Sequence, residues 1–162
     1  MSTEALTSRL PDPLELFPEM PAIAAGLSKL VDNGAVPKET IGLVHLRAGQ
    51  IVGSTYHTVR QAALLRAAGE TAERLDSLPS WRDSPYFTAA ERAALALVEA
   101  VLAPDPAGER VSDALFAEAA AHFDDKALWT LTVAIGQFMF FVPVAAIAKP
   151  IPGRPVGQNY SK

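Results

Sequence analysis

Apolar positions along this chain recur every three or four residues and almost never alternate with polar ones. The pattern therefore predicts helices nearly everywhere and an all-α fold. "PAIAAGLSKLVDNG" opens with Pro21, whose missing N–H costs nothing in a first turn, and stops at Asn33-Gly34. "PKETIGLVHLRAGQIVG" starts at Pro37 and sets Ile41, Val44 and Ile51 on its apolar side, with Leu43 and Leu46 widening it. "STYHTVRQAALLRAAG" takes Ser54 as its N-cap and ends at Gly69. "ETAERLDSL" predicts a short helix. In "TAAERAALALVEAVLA", Thr88 and Glu91 form a T-x-x-E capping box ahead of an apolar stripe. "APDPAGER" breaks the chain with Pro104, Pro106 and Gly108, and "SDALFAEAAAHF" resumes at Ser112. The tail over 149–162, "KPIPGRPVGQNYSK", is too rich in proline and glycine for a helix and is expected to lie extended along a surface.

The stretch from Ala127 to Ala148 carries no charge and is long enough to cross a bilayer. Gly136, Gln137 and Pro143 interrupt it, and the charges flanking it show little bias in sign. A helix buried in the core and against other copies of the chain is expected instead, with no membrane partner. On that reading Gly136 allows a close helix approach, Gln137 is a buried amide with a partner, and Pro143 kinks or stops the helix. Phe138, Met139, Phe140 and Phe141 form core or the wall of an apolar ligand pocket.

Composition narrows the classes. The 162 residues suggest one domain, and 49% hydrophobic against 20% charged residues excludes wholesale disorder. A net charge of −4 and a pI near 5.3 disfavour a nucleic-acid partner. There is no cysteine, which excludes disulfides, thiolate metal sites, iron–sulfur ligation and a cysteine nucleophile. The opening "MSTEALTSRLPDP" lacks the order of a secretory signal, so a cytoplasmic location is expected.

The chemistry concentrates after Gly53. Ser54, His57 and Gln61 stand three and four residues apart, on one face of a helix. Serine beside histidine begins a nucleophile–base pair, but no acid is placed to orient His57. Ser54 is equally well explained as an N-cap, worth ~1 kcal/mol to its helix. Tyr56 and Arg60 flank the group, and a guanidinium there suits a carboxylate-bearing ligand. His122, at the end of another helix, reads as a C-terminal capping group.

From Pro37 to Ala100 the sequence resembles the alkylhydroperoxidase D-like, carboxymuconolactone decarboxylase superfamily. Its peroxidase-like branch reads L-R-x-x-Q-x-N-G-C-x-x-C-x-x-x-H, then an A-G-E turn, then F-x-x-x-E-R-A-A-L. Leu46, Arg47, Gln50, Gly53, Ala68, Gly69, Glu70, Phe87, Glu91, Arg92, Ala93, Ala94 and Leu95 fit that frame. The resemblance implies an all-α helical unit that assembles as a homo-trimer or homo-hexamer, with thiol peroxidase as the family activity. Its two cysteines fall on Ser54 and His57, its histidine on Gln61 and its glutamate on Gly42, so all four positions have changed. In the family a thiolate at the helix start attacks peroxide and a second thiol resolves the sulfenic acid. Serine can do neither.

His45 lies one turn beyond Gly42, on the face where the family keeps its glutamate, so the two imidazoles are expected to converge. Two histidines without a carboxylate make a poor metal site, so no metal and no cofactor are expected. A structural imidazole bonded to a backbone carbonyl is the simpler expectation. Arg47 and Gln50 are expected to hold helix ends or subunit contacts. The candidate catalytic positions are His57 and Ser54, with Gly42 and Gln61 degenerate beside them, and the pocket is expected to comprise His45, Tyr56, Arg60 and Gln61. The function implied is binding of a small, partly apolar molecule, with decarboxylase- or hydrolase-like chemistry in place of thiol chemistry. The alternative is a non-catalytic oligomeric binding or scaffold protein.

Overall fold

A computed structural model describes residues 6–103, 106 and 108–161. The predicted loop at "APDPAGER" falls partly outside these residues at Pro104, as do the first five positions of the "MSTEALTSRLPDP" opening. Among the described residues seven α-helices follow one another: α1 (Met20–Val31), α2 (Lys38–Ile51), α3 (Thr55–Ala67), α4 (Ala72–Ser77), α5 (Ala89–Leu102), α6 (Asp113–Ala120) and α7 (Asp125–Pro143). No strand occurs among the described residues.

Local chemistry sets the boundaries. Ser54, Thr71, Thr88, Ser112 and Asp124 each cap a helix start with a side-chain oxygen. Thr88 and Glu91 make the full reciprocal box. Gly53 takes φ +67°, the left-handed turn that separates α2 from α3 without a gap in the chain. Gly49 lets the two helices touch there: a methyl group on it would sit 3.0 Å from the Thr58 hydroxyl and 3.3 Å from Cβ of His57. The predicted helix at Ser112 ends early, at Ala120. His122 lies beyond it and is exposed; its backbone N–H, rather than its ring, reaches back to Ala119.

α2 is the central element, packed on α3, α5 and α7. Its two sides feed two cores. Ile41, Val44 and Ala48 join α5 and α7 through Ala93, Val98, Leu131, Ala134 and Phe138. Leu43 and Leu46 join Leu65, Leu75, Leu78, Trp81, Phe87 and Leu95. The leucines expected to widen one stripe are thus a second face, and Ile51 is only half-buried. Because α2 is covered nearly all round, its sequence shows no clean amphipathic edge.

The residues that carried the family resemblance turn out to be framework. Arg47 donates to Glu99 at 2.9 Å and to Gln50 at 3.3 Å, so it ties α2 to α5. Trp81 and Arg82 donate to the same Glu99 carboxylate. Burial alone would raise the Glu99 pKa, but the bonds from Trp81, Arg82 and Arg47 outweigh it and hold the carboxyl ionised. Glu70 and Glu91 close on Arg74 in the same way.

The uncharged run forms α7 and then a π turn over Val144–Ala148. Pro143 has no N–H for the carbonyl one turn back, and the α-helix ends on it. The helix is long and apolar enough to cross a membrane by length and composition, yet only a third of its apolar window is buried. Phe138 is core, whereas Trp129, Met139 and Phe140 are exposed. Gln137 is half-buried and reaches Ser28 at 3.2 Å, and no described residue comes within 4 Å of a Cβ placed on Gly136, so no close helix crossing occurs there among the described residues.

The tail does not run extended. It leaves the π turn through Lys149 at φ +52° and makes successive turns at Gly153 and Gly157. Asn159 returns to accept from the N–H of Ile151 at 2.7 Å, and both residues are buried. Glycines that permit left-handed turns favour this folded-back path over an extended one.

Candidate functional site

α3 carries the site because its first turn is fixed twice. The Ser54 hydroxyl accepts the helix-start N–H of His57 at 3.5 Å and lies 2.8 Å from the ring atom Nδ1. A hydroxyl can accept from the backbone and donate to Nδ1 at once, and either way Ser54 engages Nδ1 and leaves Nε2 as the other ring nitrogen. Tyr56 packs edge-on to the His57 ring, with centroids 5.5 Å apart, and Phe138 packs on it at 4.7 Å. The imidazole is therefore held on three sides.

Its fourth side opens on a cavity of about 810 Å³ bounded by α1, α2, α3, α7 and the tail. His45, Tyr56, His57, Arg60 and Gln61 all line it, as do Gly42, Phe138 and Phe141. The expected pocket residues are thus brought together. Ser54 is not: it faces a separate, smaller recess of about 220 Å³ against the tail. A nucleophilic role for its hydroxyl would place the attacking atom behind the ring, away from the larger cavity.

The polar groups of the cavity divide into those that are satisfied and those that are free. His45 donates from Nε2 to the Ala134 carbonyl at 2.9 Å, so of the two histidines it is the one bonded to a backbone carbonyl. Nε2 of His57, the Gln61 amide and the Arg60 guanidinium make no hydrogen bond or ion pair with any described residue. No described buried side-chain nitrogen or oxygen lacks a partner, so the free atoms of His57 and Gln61 must be open to the cavity. Gly42 does not leave a hole where a carboxylate might stand. Leu65 fills that space, and a Cβ at position 42 would come within 2.6 Å of its Cδ2.

Burial first, then the Arg60 charge and then His45, lowers the His57 pKa to about 4. Burial and Arg60 also lower that of His45, against its bond to Ala134. Both rings are neutral at pH 7. The unfolded chain, with histidine near 6.5, takes up protons that the folded chain refuses between those values. Stability is therefore fully present above pH ~6.5 and is lost as pH falls toward 4, by at most ~3 kcal/mol for His57. Urea midpoints measured from pH 7 to 4.5 are expected to fall steadily. A flat profile would contradict the burial of both rings.

No group of three or more histidine, aspartate or glutamate side chains placed to hold a metal exists among the described residues. The sequence reading missed Glu99, Arg74 and the tail. Only the last belongs to the site, and the single signal for it was the asparagine and tyrosine at Asn159 and Tyr160.

The sequence model of the carboxymuconolactone decarboxylase family matches residues 18–100. YdfG of Bacillus subtilis, an uncharacterised protein, is 27% identical over 124 residues, which is 76% of this chain and 82% of that one. YnjA of Escherichia coli, also uncharacterised, is 42% identical over 66 residues, 41% of this chain and 35% of its own length. Among solved structures, a protein of unknown function from Agrobacterium tumefaciens, named as an AhpD-type antioxidant defence protein, superposes with a TM-score of 0.80 at 26% identity. It covers 92% of this chain and all of that one. The debrominase Bmp8, solved with 2,3,4-tribromopyrrole, has the same fold at a TM-score of 0.73 and 19% identity, over 84% of this chain and 72% of its own.

Proposed function

Since the chain belongs to the carboxymuconolactone decarboxylase family and has no cysteine, we propose that it binds a small, partly apolar molecule in the α3 cavity and acts on it through His57 by non-thiol, proton-transfer chemistry. The observation that carries this reading is the free Nε2 of His57, on a ring fixed by Ser54, Tyr56 and Phe138 and opening on an 810 Å³ cavity. The cavity end around it is rich in donors. With Ser54 donating to Nδ1, the Nε2–H, the Gln61 amide and Arg60 all favour a ligand oxygen that bears negative charge. Phe138 and Phe141 suit an apolar body behind that oxygen. An anion at this end would also raise the His57 pKa toward neutrality, where an imidazole is an effective proton donor and acceptor. Placement of Ser54 outside the cavity favours His57 alone over a serine–histidine hydrolase. The debrominase Bmp8, solved as a variant with 2,3,4-tribromopyrrole, supports a non-peroxidase role for a protein of this fold.

Calorimetric titration with benzoate, an apolar ring bearing an oxyanion, tests the reading. Binding is expected to the unaltered chain and to weaken about tenfold in His57→Ala and in Arg60→Ala, as for the loss of one charge-assisted hydrogen bond. Absence of binding, or equal affinity in all three, would overturn it.

We further propose a homo-trimer or homo-hexamer in the cytoplasm rather than a membrane protein. The exposed apolar face of α7, with Trp129 70% exposed, supports contact with other copies. Sedimentation without detergent is expected to show the oligomer. A well-behaved monomer, or protein soluble only in detergent, would contradict it.

A further inference from the structure

We propose that Tyr160, delivered by the C-terminal segment, is a ligand-contacting, specificity-determining residue of the His57 cavity, held in place by a clasp between the two ends of the chain. Tyr160 lies beyond residues 18–100, the part the family model matches. It lines the same cavity as His57 and Gln61, is half-buried, and its hydroxyl has no partner among the described residues.

Its neighbours leave it little choice of position. On one side, Asn159 is 4% exposed and spends both ends of its side-chain amide and its carbonyl. Its Nδ2 donates to the Tyr56 hydroxyl at 2.9 Å, its Oδ1 accepts from the Gly157 N–H at 3.1 Å, and its carbonyl accepts from Ile151 at 2.7 Å. On the other side, Ser161 and Ser8 exchange bonds: the N–H of Ser161 donates to the Ser8 hydroxyl at 2.8 Å, and the N–H of Ser8 donates to the Ser161 hydroxyl at 2.9 Å. The Arg9 N–H adds a bond to the Ala148 carbonyl at 2.8 Å. A residue pinned at both flanks, with its own hydroxyl left free at a cavity, is preorganised for something that enters it.

The clasp also reaches the reactive ring, since Tyr56, which Asn159 holds, is the residue stacked edge-on against His57. Burial, with Tyr56 and then Asp12 nearby, raises the Tyr160 pKa, so the phenol stays a neutral donor. A neutral donor lining the same cavity as Arg60 and His57 gives a ligand there a further hydrogen bond to an oxygen acceptor. The class it selects is a small aromatic or alicyclic molecule with an oxygen acceptor, against a purely apolar one of the same shape.

This inference rests on the binding role proposed for the cavity, and two probes separate them. Benzoate and toluene share a body, and only benzoate offers an oxygen. In Tyr160→Phe, benzoate affinity is expected to fall about tenfold while toluene affinity stays as it was. Ser8→Ala, which loosens the clasp and leaves Tyr160 intact, is expected to weaken benzoate in the same direction but less. Benzoate bound equally by the unaltered chain and Tyr160→Phe would overturn the role of Tyr160 and leave the binding reading standing. An equal loss of both probes in Tyr160→Phe would show packing rather than recognition and would also overturn it. Failure of benzoate to bind the unaltered chain would overturn both.

Discussion

Phe138→Asp is expected to unfold the chain under conditions in which the unaltered protein is stable. Phe138 is 4% exposed, sits in the core formed by α2, α5 and α7, and packs on the His57 and His45 rings. Both imidazoles are neutral at pH 7 because of burial, so either would first have to take up a proton against that burial to pair with the new charge. An unpaired buried carboxylate costs ~3–5 kcal/mol, much of the 5–15 kcal/mol typical of a whole domain. Phe138→Leu keeps the apolar contact and is expected to cost about 1–2 kcal/mol. Urea denaturation distinguishes the two. Similar midpoints for Phe138→Asp and the unaltered chain would mean that α7 does not close this core.

A peroxide-consumption assay with a dithiol reductant is expected to read background at any protein concentration. Attack on peroxide and resolution of the sulfenic acid require two thiols, and the chain has none. Restoring sulfur alone is not expected to restore the activity. Ser54→Cys with His57→Cys would leave Gln61 unable to transfer a proton. Gly42→Glu would in addition force the buried Leu65 side chain to shift, since a Cβ at position 42 comes within 2.6 Å of its Cδ2. Activity in the unaltered chain that scales with protein and survives metal removal would contradict this account.

The helices and their starts were legible because each boundary has a local cause. Thr88 with Glu91, Ser112 and Ser54 act within three residues of themselves, and the structure uses them as the sequence suggests. The roles of α2 and Arg47 were not legible. A helix covered on both sides loses its amphipathic signature, and an arginine that bonds a glutamate on α5 looks on paper like any solvated arginine. The cavity group His45, Tyr56, His57, Arg60 and Gln61 could be read because two adjacent helices place it. Exclusion of Ser54 from that cavity could not, since spacing puts it on the shared face but not on one side of the ring. The tail was misread for a related reason. Proline content rules out a helix, whereas the fold-back depends on Asn159 meeting Tyr56, more than a hundred residues away.

Imidazole nitrogen NMR across a pH titration, with and without benzoate, tests the account most directly. The central claim is that His57, not a thiol, is the group this cavity presents to its ligand. The His57 ring is expected to titrate at about 4 without benzoate and higher with it, with the largest ligand-induced shift on Nε2 and little change at His45, whose Nε2 is committed to Ala134. A His57 ring that titrates near the ordinary ~6.5 and ignores benzoate would contradict the account.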